Sequence, residues 1–287
     1  MNEASTSAEA ARHRPRRILV IRHGERIDFT FNKNAQDSWI TKAFDPSTGR
    51  YSRFDVNMPR SVPKRVSGFR AFALDTPLTE IGYLQAKLTG RALKDAGVKP
   101  SHIYASPALR CVQTAVGILK GMNQAQSMKI SIEPGLFEWG AWFRPHLPQW
   151  MTPEELHAAG YPVSLSYTPL MLSFSTSESL SEYYNRSSAI VRKIMEKHPG
   201  DCCVLLVAHG ASLDTCTRQL TGGSPRIQSD FYHILHQTSY LAIAQLSSKP
   251  TAPGGWELVE SPILPLKHSG NDSYNPAILT APLAHHH

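Results

Sequence analysis

Residues 17–26 read Arg17-Ile18-Leu19-Val20-Ile21-Arg22-His23-Gly24-Glu25-Arg26. Four consecutive branched apolar residues are the pattern of a short strand covered on both faces, as in a parallel sheet. The run stops at Arg22-His23-Gly24. A strand that ends in a His, with a Gly to let the backbone turn, presents the imidazole at the carboxyl edge of the sheet, where open α/β sheets keep their ligand crevice. Arg22 and Arg26 flank that His. Like charges disfavour protonation, so an imidazole between two permanent cations is pushed toward its neutral, nucleophilic form. The same arginines suit a bidentate grip on phosphate. A surface His in a basic turn gives the same tetrad, and the rest of the chain has to separate the two readings.

Length and charge narrow the partners. The chain has 287 residues, enough for one large domain or two small ones. Lys and Arg exceed Asp and Glu by 30 − 23 = 7. That balance fits nucleic acid, a membrane surface or small anions. The basic residues are scattered and no nucleic-acid-binding motif is present, which argues against nucleic acid. No signal-peptide apolar region or membrane-spanning apolar run occurs. The four cysteines, Cys111, Cys202, Cys203 and Cys216, show no metal-ligand spacing and read as reduced core thiols of a cytoplasmic protein.

In chain order, residues 1–16 read as a disordered leader. Residues 29–76 lack a sustained period but carry Phe29, Phe31, Trp39, Phe44, Tyr51, Phe54, Phe69 and Phe72. This insertion is expected either to cover something apolar or to be anchored by its own aromatics. A helix is expected over 77–96, with Thr79 as N-cap and an apolar stripe of Ile81, Leu84, Leu88 and Ala92. A strand over 102–105 precedes Ser106-Pro107, read as the N-cap and first position of a second helix. Arg110 then falls in its first turn, where amides and dipole already favour an anion. A strand over 129–136 leads to Phe137-Glu138-Trp139. Aromatic surroundings would raise the pKa of Glu138 and suit a general acid, whereas an arginine partner would lower it; spacing favours neither. Residues 140–180 form a second irregular insertion with a short helix near 154–159, and 178–197 a longer helix. Residues 202–208 are the strongest buried strand and end at His209-Gly210, repeating the opening pattern. A helix is expected from Ser212 to about Leu220, a strand-turn-strand unit over 230–246, and a strand near 256–259. From about 268 the chain reads as loose, and His285–His287 are set aside. Strand ends at one edge of a parallel sheet would gather His23, Arg22, Arg26, Arg110 and His209, with Glu138 nearby. So many cations need an anion, and a phosphoryl group fits.

Arg22-His23-Gly24-Glu25, Pro77-Leu78-Thr79-Glu80, Ala105-Ser106-Pro107-Ala108-Leu109-Arg110 and Ala208-His209-Gly210 resemble, in order, the signature blocks of the histidine phosphatase (phosphoglycerate mutase-like) superfamily. Arg22–Asp28, Ser106–Ala115, Glu133–Trp139 and the stretch from Phe231 onward resemble the Sts/TULA and ecdysteroid-phosphate phosphatase branch in particular. The resemblance implies a three-layer α/β domain over 17–275, with a mostly parallel central sheet, two irregular insertions and a loose tail over 276–287. It implies a metal-independent, cofactor-free phosphomonoesterase. His23 would be the nucleophile and form a phosphohistidine. Arg22, Arg26, Arg110 and His209 would hold the phosphoryl group, with Arg22 and His209 also serving catalysis. Glu138 would be the acid and base. It further implies a homodimer and a phosphorylated substrate, either a phosphotyrosine protein or a bulky steroid-type phosphate. With only a short leader, the chain is expected to lack the branch's ubiquitin-associated and Src-homology modules. Two alternatives stay open: a phosphoglycerate mutase-type isomerase, disfavoured because Arg26-Ile27-Asp28 does not follow the mutase continuation, and a non-catalytic phospho-ligand binding module.

Overall fold

Ile18, Leu19, Val20 and Ile21 form the centre of strand β1 (Arg17–Arg22) and are fully buried. The computed structural model describes residues 15–32, 38–266 and 274–280. The remaining strands are β2 (His102–Ala105), β3 (Ile130–Ile132), β4 (Cys203–Ala208), β5 (Ile243–Ser248) and β6 (Trp256–Val259). They make one six-stranded sheet in the order β3-β2-β4-β1-β5-β6. The first four in that order are parallel, and β5 and β6 join antiparallel beyond β1. The helices are α1 (Ile27–Phe31), α2 (Trp39–Ala43), α3 (Glu80–Asp95), α4 (Leu109–Gly121), α5 (Pro153–Ala158), α6 (Leu180–Glu196), α7 (Ser212–Thr215) and α8 (Gln228–Gln237).

Alternation along β1 creates the three layers. Leu19 and Ile21 face a core shared with α3 and α4, while Ile18 and Val20 face one shared with α6, α7 and α8. The apolar run without alternation is what a strand covered on both faces requires. Register then sets the site. Arg22 pairs with Ala208, and Ala105 pairs with both Val207 and Ile132. The parallel strands therefore end level, and His23, Ser106, Glu133 and His209 are each the first residue past a strand at the same edge.

Four expectations are corrected. The stripe expected on α3 faces outward: Ile81, Leu84 and Leu88 are 45%, 53% and 51% exposed. The buried face is Gly82, Gln85, Ala86, Thr89, Gly90 and Leu93. The reason is close backbone packing against α4, which apolar periodicity cannot reveal. A Cβ on Gly90 would lie 2.1 Å from the Ile118 carbonyl oxygen, and one on Gly121 2.0 Å from that of Lys87. Second, α4 starts at Leu109 rather than at Pro107. Its first amide is capped by Asp75, whose Oδ1 accepts from Leu109 N at 2.7 Å, and Ser106 is free for another role. Third, residues 228–237 are helical rather than a strand, because Phe231 and Ile234 recur at helical spacing and are buried on one face. Fourth, the helix after His209 ends at Thr215.

The insertion 29–76 is anchored by its own aromatics. Phe44 stacks on Phe69 and Phe72 at 4.9 and 5.8 Å, beside buried Trp39. The leader expected over 1–16 lies outside the described residues except at its end, as do 281–287 with His285–His287. Within the expected tail, Pro276–Leu279 is a 3₁₀ turn with Leu279 buried.

Gly90→Ala is expected to lower the unfolding free energy by ~1–3 kcal/mol through overpacking. Leu84→Ala, on the exposed face, should change it by less than ~0.5 kcal/mol. Urea titration checks both, and equal midpoints would contradict the close α3–α4 contact.

Candidate active site

β1 delivers His23 to the sheet edge, where its amide donates to the Ala208 carbonyl at 3.0 Å. Gly24 is required by space. A Cβ there would lie 2.7 Å from the Gly82 carbonyl oxygen, so the turn rests directly on the start of α3. The Gly24 amide donates to Thr114 Oγ1 at 3.0 Å, and that hydroxyl donates to the Arg110 carbonyl at 2.7 Å. The turn carrying His23 is thereby tied to the helix turn carrying Arg110.

The imidazole of His23 is 2% exposed. Its Nδ1 lies 2.8 Å from the Gly24 carbonyl oxygen. Only a protonated Nδ1 can use that acceptor, which assigns the lone pair to Nε2. Burial, and then the charges of Arg110 and Arg22, push the His23 pKa well below 6.5. His209 follows the same logic: burial first, then Arg110, Arg26 and Arg22, hold it well below 6.5. Its Nε2 lies 2.8 Å from Ser106 Oγ, and its Nδ1 faces Arg110 Nη2 at 3.3 Å. The two imidazoles stand edge to face, 5.6 Å apart.

Three arginines and one carboxylate complete the group. Arg110 is fully buried and its Nη2 pairs with Glu138. Its Nε and Nη1 are buried without a partner, as is Arg22 Nε. Arg22 donates through Nη1 to the Thr238 carbonyl and lies over the Tyr240 ring at 4.4 Å. Burial lowers its pKa. For Arg26, burial works against the charge, but a two-pronged contact with Asp28 at 2.7 Å outweighs it, and the pKa is raised. That contact uses Nε and Nη2 and leaves Nη1. Glu138 is 8% exposed and lies 3.6 Å from His209 Nδ1. Of the two settings open from the sequence, the structure has the arginine partner; Phe137 turns instead onto His209, at 5.1 Å.

All six residues singled out in the sequence therefore meet at one sheet edge. Other groups support the site beyond those the sequence singles out. Ser106 is expected only as a cap, and Tyr240 lies in the segment 230–246 expected as strand, turn and strand. Asp28, two residues after a phosphate-type arginine, carried a signal in its spacing. Thr114, Glu178 and Arg186 carried none.

The chemistry of the arrangement is a neutral imidazole with a free lone pair, beside buried guanidinium N–H groups that lack acceptors. Unpaired buried donors are costly, and a tetrahedral oxyanion would supply the missing acceptors and the missing negative charge.

The chain resembles known proteins over most of its length. The model of the histidine phosphatase superfamily (branch 1) matches residues 64–253. The ecdysteroid-phosphate phosphatase of Drosophila melanogaster is 39% identical over 96% of this chain and 36% of its own length. The human ubiquitin-associated and SH3 domain-containing protein B is 41% identical over 90% of this chain and 39% of its own. The chain thus spans under half the length of these curated relatives. The crystal structure of the ecdysone phosphate phosphatase of Bombyx mori, in complex with tungstate, superposes with a TM-score of 0.78 and 33% identity, over 92% of this chain and 99% of that one.

The two depressed histidines have a consequence for stability. Below pH 6.5 the unfolded chain protonates both and the folded chain neither, so stability falls as pH drops from that value. His209→Gln should flatten the dependence between pH 6.5 and 5.5 by up to about 1.4 kcal/mol per pH unit. Urea unfolding at both pH values measures it, and parallel slopes for the two proteins would contradict the buried neutral assignment.

Proposed function

The chain belongs to the histidine phosphatase superfamily, and from that premise we propose that it is a metal-independent phosphomonoesterase working through a phosphohistidine on His23. The observation that carries this reading is the neutral His23 imidazole beside buried, acceptor-free N–H groups of Arg110 and Arg22. In the reaction, the Nε2 lone pair attacks phosphorus while the bond to the leaving oxygen breaks. Arg22, Arg26, Arg110 and His209 hold the non-bridging oxygens, where charge is spread in the transition state. The incoming ester, arriving as its monoanion, competes with Glu138 for Arg110; the freed carboxylate takes up the ester's proton and delivers it to the leaving oxygen. In the second half-reaction the carboxylate takes a proton from water, the water oxygen attacks phosphorus, and the P–N bond breaks to release phosphate. The arginines supply the positive charge that a metal provides elsewhere. The Bombyx mori relative is solved in complex with tungstate, an oxyanion, which supports an oxyanion-binding role.

The substrate is a ring-bearing phosphate ester, a phosphotyrosine side chain or a steroid-type phosphate. The relatives' names support the second. The rings near the site do not come from the core of the 29–76 insertion. They include Tyr240, whose ring lies 5.8 Å from that of His23, and Phe29, under Arg26 at 4.2 Å and 67% exposed. A homodimer belongs to the same reading, and the outward stripe Ile81, Leu84 and Leu88 is an apolar face suited to it. So does a cytoplasmic setting, which the four free thiols favour. Among the described residues, no helix is long and apolar enough to cross a membrane.

The purified protein should release nitrophenol from p-nitrophenyl phosphate without added metal and equally in the presence of a chelator. His23→Ala should lower the rate by at least about a thousandfold. Full activity of the variant, or loss of wild-type activity to the chelator, would overturn the reading; binding of phosphate esters without any turnover would favour a phospho-ligand binding module.

A further inference from the structure

Arg186 lies on α6, outside the phosphate-binding group, and is 6% exposed. All five of its guanidinium N–H groups are used. Nη1 donates to the carbonyls of Gly135 and Phe137, each at 2.9 Å. Nη2 donates to the Glu138 carbonyl at 3.2 Å and to Glu178 Oε1 at 2.6 Å, and Nε donates to Glu178 Oε2 at 2.9 Å. The guanidinium plane sits on the Phe174 ring at 3.9 Å. Glu178 extends the grip: its Oε1 accepts from Gly140 N and its carbonyl from Trp139 Nε1, both at 2.9 Å. The segment 135–140 has only one short 3₁₀ turn before Glu138, so its carbonyls have few partners of their own. A Cβ on Gly135 would lie 2.5 Å from Ile190, so the segment also rests directly on α6.

We propose that Arg186, braced by Glu178, is the positioning residue that aims the Glu138 carboxyl at the leaving-group oxygen. The inference rests on Glu138 being the general acid. A carbonyl-binding arginine is suited to the task because its planar fork fixes direction as well as distance, which lysine does not. Three backbone carbonyls within four residues, held by one rigid plane, leave Glu138 little freedom beyond its own side-chain torsions. Displacing a catalytic group by about 1 Å can cost on the order of a hundredfold in rate.

A positioning role differs from a merely structural one in how it depends on the leaving group. A p-nitrophenolate leaves with little help, whereas phenolate needs the proton. The value of kcat/KM reports the first half-reaction, where the acid acts. The ratio of kcat/KM for p-nitrophenyl phosphate to that for phenyl phosphate also does not depend on the fraction of active protein. Glu138→Gln is expected to raise this ratio by about tenfold or more, and Arg186→Lys to raise it in the same direction by several-fold. Glu178→Gln, which keeps the arginine but replaces its charged brace, should do so too. If Glu138→Gln leaves the ratio unchanged, the acid assignment itself fails. If Glu138→Gln raises it and Arg186→Lys lowers both rates equally, Arg186 holds structure only and the inference is overturned. Should Arg186→Lys fail to fold by circular dichroism, the Glu178→Gln ratio decides between the same two outcomes.

Discussion

Arg110 is fully buried, with one guanidinium nitrogen on Glu138 and the other two lacking any acceptor. In a folded protein such groups nearly always find partners. Arg22 Nε adds a third unpaired donor. Around this deficit the other features take their meaning. His23 and His209 stay neutral because protonating either would add to the same crowded charge. Glu138 offsets one arginine, and Asp28 holds another at a set angle. An arriving phosphoryl group would meet an unfilled set of donors and a lone pair on Nε2. Preorganised donors of this kind cost no rearrangement when charge develops, which is the usual source of catalytic stabilisation.

The fold supplies that constellation by levelling strand ends. The pairing of Arg22 with Ala208 and of Ala105 with Val207 leaves His23, His209 and Ser106 side by side. Thr114 joins the His23 turn to α4, and Arg186 with Glu178 joins the Glu138 segment to α6. Each charged group is thus tied to an element of the sheet or its helical layers, so its position follows from the core packing. The glycines at 24, 82 and 90 serve the same end. They let backbone approach backbone where a side chain would push the layers apart.

How much of this the sequence disclosed depended on the kind of signal. Doubly buried strands announce themselves by unbroken branched residues, and β1 and β4 were plain. A His or Arg at such a strand's end is equally visible, which is why Arg22, His23 and His209 stood out from their places in the chain, whereas the role of Glu138 was implied only by the family resemblance. The stripe on α3 misled because the apolar residues point to solvent, while the closest approach to α4 is made at Gly90 and Ala86, which carry little hydrophobic weight. The segment 228–237 misled because its aromatics suit a strand, and only burial of Phe231 with Ile234 reveals the helical face. Arg186 carries no signal in the residues around it. Its role depends on carbonyls some fifty residues away, and no local pattern encodes such a contact.

The phosphohistidine is the point on which the functional reading turns. Mixing the protein with a radiolabelled aryl phosphate and quenching within milliseconds to seconds tests it directly. The label should appear on the chain, resist alkali, be lost in mild acid as a phosphoramidate is, and map to His23. No labelled protein at any quench time during active turnover, or label on another residue, would contradict it.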